Sequence, residues 1–309
     1  MRRQILGMRS FRNDLIAIQA VHSISAPRTG GVAVVLAFLL GLILWFDKSS
    51  SVLFHLKFIL TLVPVFIVGL SEDLGYLVSS RLRLLSSAVS GLLFILLFNQ
   101  WIPRSNLPGL DVALLWSPFA IALSVYVAVA ISHAFNLIDG LNGLSGFIGV
   151  AAALSLAIMA DDVGISGHRN MLIVLAAAIV GFLLLNFPFS LVFIGDAVAY
   201  SVEYILVWIS ISMFWSSKQI TPWPVFLIYF WPIADTLLAI TRRLSKGRPV
   251  SQPDRLHFHQ LVLRACEILI LGRGKRKFTN PLATIIVLPL AIEPMCAGVF
   301  SPPTVTVRF

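Results

Sequence analysis

The sequence predicts an all-α, polytopic membrane protein of about nine transmembrane helices with its active site on the cytosolic face. Three observations carry that prediction. Hydrophobic residues make up 58% of the 309 and charged residues only 12%, about half the charged share of a soluble chain. A mean hydropathy of +0.92 is more than a water-soluble domain of this length can hide. The apolar residues are also gathered into runs long enough to cross a bilayer. Finally, the basic residues cluster between those runs, so the net charge of +9 reads as membrane topology. It does not read as a nucleic-acid footprint, and no nucleic-acid partner is expected.

Taken in order, residues 1–30 form a polar, basic segment, and the first 28 lack the apolar region of a cleavable signal peptide. Nine candidate spans follow, at 31–46, 52–70, 84–98, 113–135, 143–160, 171–187, 198–215, 222–240 and 281–300. Several are short for a core of ~30 Å, so tilted or re-entrant segments are expected. A long loop occupies 241–280, and the whole chain, 1–309, reads as one integral-membrane domain without internal repeats. Cys266 and Cys296 have neither metal nor disulfide-framework spacing.

Charge sets the orientation. With a cytosolic N-terminus, seventeen Lys and Arg residues fall in inner segments, ten of them in the 241–280 loop. The outer loops hold only four, Lys48, Arg104, Arg169 and Lys218. That asymmetry puts the N-terminal segment and the 241–280 loop in the cytosol.

Acids are scarce, 14 in all, so their placement carries information. Glu72, Asp73, Asp139, Asp196 and Asp254 fall on the inner side, at or beside span ends, and His257 and His259 join them from the loop. Ionisable groups at membrane depth are costly and tend to be functional, although any single one can be an interfacial residue that snorkels. Convergence on one face predicts a site for a metal and an anion. In GLSEDLGYLVSSRLRLL, the Glu72–Asp73 pair can hold a metal or share a proton, a signal that is commonplace alone. In HAFNLIDGLNGLSGF, Gly140, Gly143 and Gly146 interrupt the helix, so that Asn136, Asp139 and Asn142 can line a cavity; the plainer reading is a glycine-rich turn. In NFPFSLVFIGDAVAY, Asp196 follows Gly195, and with the Asn136 amide it offers hard oxygen ligands suited to Mg²⁺ beside phosphates. Phe193 reads equally as core. RPVSQPDRLHFHQLVLR supplies arginines suited to phosphate. Its H-x-H pair has no cysteine or third histidine nearby, which disfavours zinc.

Five blocks, HSISAPRTGGVAV, GLSEDL, NLIDGLNGLSG, FIGDAVAY and PDRLHFHQLV, occur in this order between about residues 11 and 264. Together they resemble the polyprenyl-phosphate N-acetylhexosamine-1-phosphate transferases, glycosyl transferase family 4. That family includes the undecaprenyl-phosphate GlcNAc-1-phosphate transferases and phospho-MurNAc-pentapeptide translocase. Glu72 stands where the family commonly has Asp, and Asn142 where it commonly has Asp; both fit a bacterial subgroup. Val198 stands where that subgroup has glycine. The family is expected to have a span before the first block and to continue beyond the last span found here.

The resemblance implies transfer of a sugar-1-phosphate from a UDP-N-acetylhexosamine to undecaprenyl phosphate, with release of UMP. It implies a bacterial inner-membrane enzyme that starts a cell-envelope polysaccharide such as O-antigen. Mg²⁺ is the implied cofactor, with Asn136 and Asp196 as ligands. Glu72, Asp73, Asp139 and His257 are the implied catalytic residues. Arg28, Asn142, Phe193, Arg255 and His259 are implied to bind substrate, Phe193 by stacking on uracil and Asn142 by bonding its edge. The bilayer and the two substrates are the implied partners, and a homodimer is compatible with them. Two rival readings explain part of the same pattern. A catalytically impaired relative acting as a scaffold would account for Val198, and a transporter would account for the spans and their polar residues.

Overall fold

The computed structural model describes residues 30–45, 52–247, 256–272 and 274–300. Arg28, Arg255, Asp254 and the segment 1–29 lie outside the described residues. Within them all regular structure is helical: α1 (Gly30–Leu44), α2 (Val52–Asp73), α3 (Ser80–Phe98), α4 (Pro108–Leu114), α5 (Ser117–Ile138), α6 (Leu144–Asp162), α7 (Ser166–Asn186), α8 (Gly195–Ser216), α9 (Pro222–Ile228), α10 (Phe230–Ser245), α11 (Phe258–Leu269) and α12 (Arg276–Phe300).

Each of the nine expected apolar runs contains helix among the described residues, but the runs are not equivalent. Seven helices (α2, α3, α5, α6, α7, α8 and α12) are long and apolar enough to cross a membrane. The first run gives α1, helical over the described residues Gly30–Leu44. The eighth is broken: α9 and α10 meet at 69°, and α10 begins at Phe230, two residues before Pro232, which lacks the N–H that an unbroken helix would use. The 241–280 stretch expected as a loop is partly helical. It contains α11, which buries His259, Leu263, Cys266 and Glu267 on one face, the amphipathic spacing of a helix lying against a bundle.

α8 is the axis of the molecule. All residues from Ala197 to Phe214 are buried, mostly apolar ones but also Glu203 and three serines. Its serines return their hydroxyls to the preceding turn, Ser201 to the Ala197 carbonyl at 2.6 Å and Ser210 to the Leu206 carbonyl at 2.8 Å. α1, α2, α3, α5, α6 and α7 pack around it. Three of them approach through glycine, the small-residue packing of membrane helices. A Cβ at Gly69 of α2 would lie 2.6 Å from the Ala197 Cα, and one at Gly91 of α3 would lie 2.6 Å from the Trp208 ring. A Cβ at Gly31 of α1 would lie 2.9 Å from the Val198 side chain. Val198 is therefore a fully buried packing residue whose bulk is matched by a glycine on the facing helix.

At the end of α8 remote from Asp196, Arg104 closes the helix. It donates to the carbonyls of Phe214 (3.0 Å), Ser217 (2.9 Å) and Ile220 (2.7 Å), satisfying acceptors that a helix C-terminus leaves free.

Candidate active site

The opposite end of the bundle collects the ends of α2, α5 and α7 and the starts of α6, α8 and α12. α8 can begin there because Gly195 adopts φ +75°, a left-handed conformation open to glycine at little cost. A side chain at this position would also strike the Asp73 carboxylate, 2.6 Å from an ideal Cβ. Asp73, the last residue of α2, reaches across this gap. Its Oδ1 accepts the Asp196 N–H and its Oδ2 accepts the Ala197 N–H, both at 2.8 Å. Two of the N–H groups that a helix start leaves unpaired are thereby satisfied, and the negative charge faces the positive end of the helix dipole. Gly69, one turn earlier, lets the α2 backbone come close enough for this to happen.

Asp196 is thus held in the first turn of α8. Asn136, in the last turn of α5, donates its Nδ2 to Asp196 Oδ1 at 3.0 Å. The two residues expected to share a cation are neighbours. Both are hard oxygen-bearing groups, the set that suits Mg²⁺ when water and phosphate supply its remaining ligands. Among the described residues no group of three or more His, Cys, Asp or Glu forms a self-sufficient metal cage.

Glu72 is differently engaged. It is buried, and both of its carboxylate oxygens accept from the one Nη1 of Arg83 on α3, at 3.0 and 2.8 Å. The Glu72–Asp73 pair therefore does not act as one unit: its first carboxylate binds α3, and its second caps α8.

The glycine-rich segment between α5 and α6 supplies the next group. Asp139 is exposed and accepts the Ser145 hydroxyl at 2.5 Å. Asn142 is buried and ties three elements together. Its side-chain amide donates to the Pro188 carbonyl at 2.7 Å, and its N–H donates to Asn280 Oδ1 of α12 at 2.7 Å. Its carbonyl accepts the Thr284 hydroxyl at 2.8 Å. Asn142 Oδ1 is buried and makes no hydrogen bond. The 187–194 loop it grips is further closed by Asn186, which donates to the Val192 carbonyl at 2.7 Å. Phe193 stands half-buried in that loop, three residues before Asp196, with its carbonyl against Gly30 of α1.

The H-x-H segment arrives from α11. His257 and His259 are both buried, with their rings stacked at 5.7 Å and 21°. His259 Nε2 presses on Gly140, 2.5 Å from where a Cβ would stand, so the H-x-H segment meets the glycine-rich segment directly. Burial pushes the His259 imidazole down to about 4, against a partial rise from Asp235, so the ring is neutral at pH 7. His257 Nδ1 is bonded to Asp235 Oδ2 at 2.8 Å.

Asp235, Asn280 and Thr284 were not among the residues the sequence singles out. Asp235 had a readable signal, a lone acid inside the apolar run 222–240. Asn280 and Thr284 had none, because neutral polar residues near a span end are ordinary. The structure brings Asp73, Asn136, Asp139, Asn142, Asp196, His257 and His259 to one end of the bundle. Arg28 and Arg255 are outside the described residues.

Comparison with known proteins agrees with this arrangement. Residues 55–214 match the model of glycosyl transferase family 4. A probable undecaprenyl-phosphate N-acetylglucosaminyl 1-phosphate transferase of Bacillus subtilis is 27% identical over 247 residues. The undecaprenyl-phosphate alpha-N-acetylglucosaminyl 1-phosphate transferases of Escherichia coli O157:H7 and Salmonella typhi are 25% and 26% identical. Each alignment covers 79% of this chain and 67% of the relative. With the matched segment spanning α2 to α8, and so the Asp73 cap, the Asn136–Asp196 pair and Asn142, the chain belongs to glycosyl transferase family 4.

Proposed function

We propose that this protein transfers a sugar-1-phosphate, from a UDP-N-acetylhexosamine, to undecaprenyl phosphate at the cytosolic face of a bacterial inner membrane. UMP is the second product, and the lipid-linked sugar starts a cell-envelope polysaccharide. The observation that carries the reading is the meeting of Asp196 with Asn136 at a capped helix start, beside Asn142 and the H-x-H segment. The names of the relatives from Bacillus subtilis and Escherichia coli support the acceptor lipid and the class of group transferred.

The chemistry follows from charge. Both substrates are phosphates, so the site must offset their repulsion. Asp196 and Asn136 would hold Mg²⁺, which would supply the positive charge that offsets phosphate repulsion and eases departure of UMP. A lipid phosphate oxygen attacks the phosphorus that carries the sugar. The bond from that phosphorus to the bridging oxygen breaks, and the bridging oxygen leaves with UMP. Asp73 acts by fixing the start of α8, and hence Asp196. Glu72 holds Arg83 near the entry of the lipid phosphate. Asn142 receives the uracil N–H on its otherwise unbonded Oδ1, Phe193 stacks on the base, and Arg28, Arg255, His257 and His259 line the diphosphate. Asp139 supports the nucleotide side of the site.

Two features support the cytosolic placement. Nucleotide sugars are cytosolic, and described basic residues, among them Arg83 against Glu72 and Lys277 over the Phe189 ring, gather at the end of the bundle that holds these residues. The test is UMP release by purified protein supplied with UDP-N-acetylhexosamines and undecaprenyl phosphate. Release that needs both the lipid and Mg²⁺ supports the reading. Its absence with every such donor overturns it.

A further inference from the structure

We propose that Asp235 is a positioning residue for His257, holding the ring's proton on Nδ1 so that Nε2 faces the phosphoryl groups; the functional side of this rests on the transferase reading above. Asp235 lies on α10, past the 69° bend, and is 4% exposed. Its carboxylate is used twice. Oδ2 binds His257 Nδ1 at 2.8 Å, and Oδ1 accepts the Phe258 N–H at 2.8 Å. The same group therefore fixes both the imidazole and the first residue of α11. His257 Nε2 is buried and makes no hydrogen bond.

A carboxylate can only accept. In every charge state of the ring, Nδ1 must then carry the hydrogen that meets Asp235. Nε2 is left as the atom that changes, carrying a proton when the ring is charged and a lone pair when it is neutral. Asp235 lies on the Nδ1 side of the ring, so Nε2 is the atom left for the phosphoryl groups. Among the described residues His259 also faces the pair, its Nδ1 3.8 Å from Asp235 Oδ2. At that distance it is no hydrogen-bond competitor for the carboxylate.

The double use of the carboxylate makes Asp235→Asn a sharp test. Phe258 N–H needs an acceptor, so it keeps the amide oxygen and turns the amide NH₂ towards His257 Nδ1. Nδ1 must then accept, and the ring proton moves to Nε2. The ring also loses its means of becoming a cation, because a second proton on Nδ1 would oppose the NH₂. Shape is nearly preserved while the tautomer is inverted, a change that costs heavily in His-dependent enzymes.

The experiment has two arms. In the wild-type protein labelled with ¹⁵N-histidine, the His257 signal, identified by its loss in His257→Gln, should report the Nδ1–H tautomer when the ring is neutral. The Nε2–H tautomer there overturns the proposal, whether or not any transferase activity is found. In the activity arm, Asp235→Asn should lower kcat by about 10²–10⁴-fold, the span of a lost acid–base group. It should also displace the high-pH limb of the rate profile to lower pH. Adding Asp235→Asn to His257→Gln should cost little more than His257→Gln alone, because the residues act as one unit. Unchanged kcat in Asp235→Asn, or additive losses in the double variant, overturn the proposal. A wild-type protein that releases no UMP overturns the transferase reading instead and leaves the tautomer arm to judge Asp235.

Discussion

Asp196 stands in the first turn of α8, where the peptide dipoles favour negative charge and where Asp73 has already taken two of the free N–H groups. Its carboxylate therefore does not have to cap its own helix. Asp196→Asn keeps the shape and the possible bond to Asn136 but removes the anion, so UMP release should fall below detection while membrane insertion is retained. Activity near wild type at limiting Mg²⁺ would remove Asp196 from the metal site. Asn142→Ala deletes the bond to the Pro188 carbonyl together with the proposed acceptor for uracil. Each such bond is worth about 0.5–1.5 kcal/mol net, so KM for the nucleotide sugar should rise several-fold, with the lipid KM little changed. A raised lipid KM alone would mean that the two substrates are exchanged. At this scale the sequence was legible wherever chemistry and rarity coincide: few acids, on one face, beside broken helices. It was illegible where function depends on a partner far away in the chain. Nothing in the string GLSED says that Asp73 will cap a helix 123 residues later, and nothing in FWPIADT says that Asp235 will meet His257.

Helices in lipid gain little from burying apolar surface against one another, so close approach decides their packing. α2 illustrates the point at Gly69. A methyl group there meets the Ala197 backbone, not a pliable side chain, and forcing it in costs about 1–3 kcal/mol. Gly69→Ala should lower the thermal unfolding midpoint in detergent. It should also lower kcat disproportionately, because the atoms it displaces are those that hold Asp196. Gly91→Ala is the control: it presses on the Trp208 ring, further along α8, and should cost stability with a smaller loss of kcat. Equal effects on kcat from the two variants would dissociate the α2 contact from the site. Helix existence was readable from apolar run length, and each of the nine runs contains helix among the described residues. Run length could not say that the eighth run would bend, an outcome that depends on a proline's missing donor. α11 was hidden for a different reason: an amphipathic helix of 12 residues inside a charged stretch resembles a loop when one searches for continuous apolar runs.

The whole molecule threads back and forth between two ends, and one end carries the chemistry. Asp73 closes α2, Asn136 closes α5, Asp196 opens α8 and Asn280 opens α12 at the site end. Arg104, Arg169 and Lys218 lie beyond the other end, where α7 starts and α8 finishes. Among the described residues, Arg83 and Lys277 sit at the site end, against Glu72 and Phe189, and an excess of Lys and Arg in short loops marks the cytosolic side. Reagent accessibility decides the matter. On a Cys266→Ser, Cys296→Ser background, single cysteines at the exposed positions Ser79 and Ser245 should be shielded in intact cells from a membrane-impermeant thiol reagent. Both should react once the membrane is opened. Cysteines at the exposed positions Asn106, Asp162 and Gln219 should react in intact cells. The pattern as a whole is the test, because an inverted protein exchanges the two groups completely, while one crossing miscounted between α5 and α8 separates only part of the set. Labelling of Ser79→Cys and Ser245→Cys from outside would put the Asn136–Asp196 pair on the face that nucleotide sugars do not reach, and the transferase reading would fall with it.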